Sequence, residues 1–439
     1  MAQNLLDLVD RLVDDRVGVI RQVEEVRKEA GASDFLCFSA QTANVQIFNP
    51  SQHHGTIWGT GVAADRARAM TKAIGEAIER YCGANFCPDE FPVATYESAD
   101  YPCVEPNEFA LFSTEQYREP GFPYIPFDRH TPIRWVSGLD LYTGEQLHLP
   151  ASMVFLGYAC NQTVGEQSIA PQISTGLACH TSPIAAALSA ICEVIERDAL
   201  TITWQAILTR RQIDLNTLSA RNASLVKRLR RPDASITLLH LNMDHDIPAI
   251  LSLMRSRARE APALMVAAAA NLDPELAVQK SLEELAQSCS FSHRIKMAWP
   301  DFNPGRDWEH VVDPESHAAV YFDQRRARFA DFLVDTDEKM AFSDIDDLST
   351  GNSADDLRII VEKVQAVGHR VLVADVTTED IRSLGLWVLR AIVPGFHPLF
   401  IGHRFRALGG TRLWTVPQKL GYTGITFETG DNPYPNPFA

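Results

Sequence analysis

The chain reads as an α/β (α+β) protein built on an internal duplication, with helices packed on mixed sheets. Three observations predict this. The octet Ala73 to Arg80, AIGEAIER, recurs 117 residues later as Ala190 to Arg197, AICEVIER, identical at six of eight positions. A fixed-offset repeat of this kind marks a structural unit used twice. Apolar runs at Ile236 to Leu241, Ala249 to Met254 and Leu264 to Ala269 sit among stretches of helical period, the pattern of strands and helices sharing a core. With 439 residues, 46% apolar and 22% charged, there is ample material for such a core.

From the N-terminus, Leu5, Leu8, Leu12, Ile20, Val23 and Val26 fall at helical spacing within residues 3 to 29, predicting an amphipathic helix or helix pair. Its polar face mixes acids with bases, which suits packing better than membrane anchoring. Phe35 to Phe48 predicts a strand that ends at the turn Asn49-Pro50-Ser51-Gln52. His53 and His54 follow and receive no role. Residues 1 to 54 are thus a helical and strand lead-in, and residues 55 to 439 form the main domain.

Gly59 to Tyr81 predicts a glycine turn, a cap at Asp65 and a helix bearing Glu76, Glu79 and Arg80. Residues 87 to 173, rich in proline and aromatics, suit short strands such as Ile133 to Val136 and Leu147 to Leu156. Thr175 to Leu200 then repeats the first unit. Gly176 precedes Glu193 by 17 residues, as Gly59 precedes Glu76. Ser182 and Pro183 supply cap and first turn. Ile184, Leu188, Ile191 and Ile195 form the stripe expected to be buried, with Glu193, Glu196 and Arg197 directed elsewhere. Ala186, Ser189 and Ala190 are small enough to let something approach.

A further helix is expected from Pro274 to Ser288. The charged stretch Asp301 to Asp347 reads as a solvated surface excursion, while Val371 to Val376 and Leu386 to Val393 read as strands. His397, between Pro394 and Pro398, is read as structural. The terminus DNPYPNPFA carries Pro433, Pro435 and Pro437 at alternating positions, which forces extended backbone with few N–H donors. Taken alone it reads as a disordered end.

The formal net charge of −16 argues against a nucleic-acid surface and an anionic membrane. The sequence contains no long apolar run and no signal-peptide pattern, so a cytoplasmic location is expected. Eight cysteines without zinc-type spacing read as free thiols. Cys179 beside His180 does not make a nucleophile and base, because adjacent residues rarely face each other. A phosphate-binding G-x-x-x-x-G-K-[ST] loop is absent, and Gly59-Thr60-Gly61 is not a dinucleotide fingerprint.

One E-x-x-E-R on a helix is ordinarily a solvated face with local ion pairs. Two copies with matching glycine, cap and acidic pair indicate a site. If the helices bring Glu76, Glu79, Glu193 and Glu196 together, their mutual repulsion calls for a hard cation such as Mg2+. Such an ion commonly brings phosphate oxygens, which Arg80 and Arg197 are suited to meet.

The glycine turn with its E-x-x-E-R helix, followed by the S-x-G-L-A turn and E-x-x-E-R-D helix, resembles the YcaO family of ATP-dependent enzymes that act on peptide backbone amides. Glu283 and Gln287 in LEELAQ match the family's E-x-x-x-Q, and Val393 to Phe400 resembles a segment near the end of its core. The resemblance spans about residue 55 to the C-terminus, with Lys72 where the family usually has serine and Thr175 where it usually has asparagine. It implies ATP and Mg2+ as cofactors, with the metal on Glu76, Glu79, Glu193 and Glu196. Nucleotide contacts would fall on Arg80, Ser174, Thr175, Arg197, Glu283 and Gln287. A P-x-P-x-P terminus marks azoline-forming members, where it runs into the active site, so Pro433, Pro435, Pro437 and the terminal Ala439 join the implied catalytic set.

The implied reaction is attack by a Cys, Ser or Thr side chain of a precursor peptide on its preceding amide. Phosphorylation of the amide oxygen by ATP and loss of phosphate then give a thiazoline or oxazoline. The short stretch ahead of residue 55 leads us to expect a separate E1-like or leader-peptide-binding partner protein. A flavin-dependent azoline dehydrogenase and self-association into a homo-oligomer complete the expected partnerships. The alternatives are a thioamide- or amidine-forming member and a non-catalytic ATP-binding accessory protein.

Overall fold

The computed structural model describes residues 5–27, 33–45 and 57–438. The expected turn at Asn49 to Gln52, the pair His53 and His54, and Ala439 lie outside the described residues. Among those described, no helix is long and apolar enough to cross a membrane.

Among the described residues, three sheets carry the fold. The first is antiparallel, with β1 (Ile20–Glu25), β2 (Leu36–Thr42) and β3 (Trp58–Ala63) in chain order. The second contains β4 (Val93–Ala94), β5 (Ile133–Asp140), β6 (Gln146–Pro150) and β7 (Leu177–His180). The third holds β8 (Gln212–Ile213), β9 (Ala234–His240), β10 (Ala249–Ser256), β11 (Leu264–Ala270) and β12 (Lys339–Met340). Its order is β11-β10-β9-β8-β12. The last strands, β13 (Leu372–Asp375) and β14 (Trp387–Ile392), return to the second sheet. They complete the order β4-β5-β13-β14-β7, with β6 also on β5.

The helices of seven residues or more are α1 (Arg66–Ala84), α2 (Pro183–Gln205), α3 (Ala220–Leu229), α4 (Pro274–Ala298), α5 (Pro314–Val320), α6 (Ser353–Ala366) and α7 (Arg412–Lys419). The sequence repeat is a repeat of structure. β3 and β7 end at residues 63 and 180 and α1 and α2 begin at 66 and 183, each pair 117 apart. Asp65 caps α1 through the Arg68 N–H, whereas Ser182 makes no side-chain cap bond and α2 starts on Pro183.

Three expectations need correction. Leu5–Leu12 is helical, with Leu5, Leu8 and Leu12 buried, but Ile20–Glu25 is strand β1. Asp14 breaks the helical run: its carboxylate accepts from the Arg16 and Val17 N–H groups, and its carbonyl from Gly18. Sheet pairing with β2 then outweighs the helical spacing. The stripe on α2 is also wider than predicted. Ile191 and Ile195 are buried, but Ile184 is exposed, and Ala186, Ala187, Ala190, Ala199, Ile202 and Trp204 are buried as well. The helix packs on β7 and β14, β11 and α6, so its alanines give close approach to protein rather than room for a ligand. Finally, Asp301 to Asp347 is not a solvated excursion. Its Ser316 to Tyr321 segment is buried, and the C-terminal tail packs on it.

Candidate active site

Both acidic helices pack against β7, so the site forms where the two repeats share a strand. Within each repeat, the first glutamate turns back to the strand ahead of its helix. Glu76 accepts from the Thr60 N–H and Glu193 from the Gly176 N–H at 3.0 Å. Each also pairs with the arginine one turn on, Glu76 with Arg80 at 2.6 Å and Glu193 with Arg197 at 3.5 Å. Glu79 crosses between the repeats and accepts from the Cys179 N–H in β7 at 2.8 Å. Arg80 also donates to the Trp58 carbonyl. Ser174, exposed, and Thr175, half-buried, form the turn leading into Gly176.

The carboxylates feel one another. Burial pushes Glu79 up to about 8, the Cys179 N–H opposing and the charges of Glu76 and Glu193 adding to it. Burial also drives Glu196 well above the ordinary range, opposed by Arg197 and reinforced by Glu284 and Glu193. Glu284 itself is raised by burial, with Lys72 and Arg197 opposing. The acid cluster thus includes Glu284, which the sequence reading passed over in favour of its neighbour. Glu283 is buried and committed elsewhere: it binds Arg68 at 3.0 Å, Lys72 at 3.3 Å and Gln279 at 2.8 Å, tying α4 to α1. Lys72, the departure from the family's usual serine, is therefore an ion-pair partner of Glu283. Gln287 lies one turn further on, half-buried.

A second missed residue is Arg390, in the middle of β14. Its Nη2 donates to the Ile173 carbonyl, while Nε and Nη1 are buried without a hydrogen-bond partner. Burial lowers its pKa to about 10, with the charge of Glu193 opposing. A charged residue inside the apolar run LWVLRAIV was the available signal, since buried arginines need a reason. Arg197 has the same character: Nη1 is buried without a partner, and Nε meets Glu196 Oε1 only as an ion pair at 3.4 Å, with no hydrogen bond to either atom. Among the described residues, no group of three His, Cys, Asp or Glu side chains stands ready to hold a metal ion. The donor set nevertheless fits Mg2+ and phosphate. Carboxylates raised by burial and mutual repulsion gain from a divalent cation, and orphaned guanidinium N–H groups gain from oxyanions.

The C-terminal tail is ordered. It starts at the end of α2, where Gln205 donates to Asp431 and Asn432 donates to the Gln205 and Trp204 carbonyls. Four successive tail carbonyls then each find a donor. Trp308 serves Pro433 at 2.9 Å, Trp204 serves Tyr434 at 3.0 Å, Tyr321 serves Pro435, and His317 serves Asn436 at 2.9 Å. Pro433 is exposed, Pro435 and Pro437 are buried, and the ring of Phe438 lies 4.2 Å from the Arg197 guanidinium. The tail thus retraces α2 from Gln205 back to Arg197. His397 is structural, its N–H donating to Asp198 and its Nε2 bonded to Gln205. Burial raises the Cys179 thiol far above its usual range, which removes it as a nucleophile.

Residues 60–397 match the family model described as YcaO cyclodehydratase, binding ATP and Mg2+. The chain belongs to the YcaO family. ATP and Mg2+ are accordingly its cofactors. An uncharacterized protein from Methanothermobacter thermautotrophicus is 26% identical over 360 residues, covering 79% of this chain and 85% of its own length. The fold is similar to that of a heterocyclase solved in complex with substrate and cofactor, with TM-score 0.79, 22% identity and 99% of this chain covered. This chain spans 57% of that heterocyclase chain. The YcaO protein of Methanopyrus kandleri, solved with AMPPCP and Mg2+, is similar over 89% of this chain and 88% of its own, at TM-score 0.62 and 19% identity.

Proposed function

We propose that this YcaO protein is an ATP-dependent peptide cyclodehydratase that converts Cys, Ser or Thr of a ribosomal precursor peptide into thiazoline or oxazoline. The observation that carries this reading is the ordered tail, which retraces α2 from Gln205 and brings Phe438 against Arg197. A tail with no part in the site would have no reason to keep four carbonyls satisfied by side chains, three of them buried, on the way.

When bound, ATP supplies the phosphoryl group that makes an amide oxygen a leaving group, and Mg2+ offsets the charge that develops there. Glu76, Glu79, Glu193 and Glu196 would hold the cation. Arg80, Arg197, Arg390 and the turn at Ser174 and Thr175 would face the nucleotide. Glu283 fixes α4 against α1 through Arg68 and Lys72, with Gln287 carried on the same helix. The prolines 433, 435 and 437 keep the tail extended without N–H groups to satisfy, and Ala439 would complete it. A leader-peptide-binding partner of the E1-like type would deliver the peptide, and a flavin-dependent azoline dehydrogenase would act on the product.

The test is phosphate release from ATP and Mg2+ with a candidate precursor peptide and partner, for wild type and Glu193→Gln. The expected result is peptide-dependent release that falls by about a hundredfold or more in the variant, the scale of losing one preorganised electrostatic contact. Tight nucleotide binding with no peptide-stimulated release would replace this reading with that of an accessory protein.

A further inference from the structure

The guanidinium of Arg197 has an unusual set of neighbours. Glu193 and Glu196 approach it only to 3.5 and 3.4 Å, past the ordinary length of a charge-assisted hydrogen bond. Nε faces Glu196 Oε1 at 3.4 Å without closing a hydrogen bond, and Nη1, with its two N–H groups, is buried with no partner at all. The third neighbour is the Phe438 ring at 4.2 Å. An aromatic face attracts a cation but offers no lone pair in the way a carboxylate or carbonyl does. It holds the guanidinium in place and leaves the N–H groups of Nη1 uncommitted.

Phe438 is itself well fixed. Its N–H donates to the Asn436 side chain at 3.0 Å, and Asn436 is held by the Phe400 carbonyl and by His317. The position of the ring is therefore set by the whole tail rather than by the local chain.

We infer that Phe438 is a positioning residue for nucleotide binding: it fixes the Arg197 guanidinium as a wall that takes no hydrogen bond, so that the two N–H groups of Nη1 remain for phosphate oxygens. The inference rests on the nucleotide site proposed above. It makes the tail part of the phosphate-binding apparatus, separate from any contact the tail makes with peptide.

The experiment is calorimetric titration of the full chain with AMPPCP and Mg2+ for wild type, Phe438→Leu and Phe438→Trp, with thermal midpoints recorded alongside. Leucine keeps an apolar side chain of similar reach but has no aromatic face, and should weaken AMPPCP binding about threefold to tenfold. Tryptophan, the best cation–π partner, should restore it. A purely structural role would make both variants lose thermal stability without this split in affinity. Wild-type affinity in Phe438→Leu, or equal losses in both variants, overturns the inference and leaves the nucleotide site standing. Failure of wild type to bind AMPPCP removes the site and the inference together.

Discussion

His317 shows how a single residue sets the condition under which the tail is held. Its Nε2 accepts from the Gly402 N–H at 3.0 Å, so Nδ1 carries the proton that bonds the Asn436 carbonyl. The ring must be neutral to do both. Burial lowers its pKa to about 4, the Asn436 bond opposing. Because the folded-state pKa lies below the unfolded value of about 6.5, the stabilisation is complete above that pH and is lost as pH falls through about 4. Urea denaturation at pH 7 and pH 5 should show stability falling by up to about 1.4 kcal/mol per pH unit for each such histidine. His317→Gln should show a shallower decline than wild type. At this scale the sequence singled out the glutamates, Arg80 and Arg197, and the fold brings Glu76, Glu79 and Glu193 within electrostatic reach of one another, with Glu196 beside Glu193. It missed Glu284 and Arg390 because neither is part of the repeat. Whether Glu283 or Glu284 faces the acid cluster depends on how α4 is rotated, and no spacing rule supplies that rotation.

Each repeat is a strand laid flat on the helix that follows it, and the glycines make this possible. A Cβ on Gly61 would lie 2.1 Å from the Ala69 carbonyl oxygen and 2.4 Å from the Ala73 nitrogen, and one on Gly59 would lie 2.3 Å from Ala73 and Ala77 backbone atoms. Helix backbone cannot yield as a flexible side chain does. Gly61→Ala should therefore cost about 3 kcal/mol or more, read as a drop in denaturation midpoint, and should shift Glu76 away from the Thr60 N–H. In the second repeat, Gly176 has φ +85° and its carbonyl accepts from the Ala391 N–H at 2.7 Å. There the glycine is needed for backbone conformation as well as for space. The strands at 236–241, 249–254, 264–269, 371–376 and 386–393 were legible because their apolar runs are short and well bounded. The segment 301–347 was misread because its buried residues are spread over several short helical turns among many charges, a pattern without clear period.

Across the molecule, the C-terminal half of α2 is a junction. Asp198 accepts from the His397 N–H and forms a bidentate pair with Arg412 of α7, which also pairs with Asp244 at 2.8 Å. All three elements converge one residue beyond Arg197. Removing the arginine would leave two carboxylates facing each other, Asp198 fully buried and Asp244 nearly so. Arg412→Ala should cost about 3–5 kcal/mol in chemical denaturation, a far larger loss than expected from an exposed pair such as Arg358 with Glu362. The lead-in strands belong to the same body, since β1 and β2 complete the sheet of β3.

By itself the sequence determined the mixed fold, the duplication and the family, because all three are written in local pattern: period, caps, glycines and a motif repeated at fixed offset. It also supplied the acidic residues and the proline-spaced tail. What only the tertiary structure decided was how those parts meet. The convergence of α1 and α2 on β7, the entry of Glu284 and Arg390, and the path of the tail back to Arg197 all depend on contacts between residues far apart in the chain. Such contacts are fixed by side chains fitting one another in three dimensions, and local pattern carries no record of that fit.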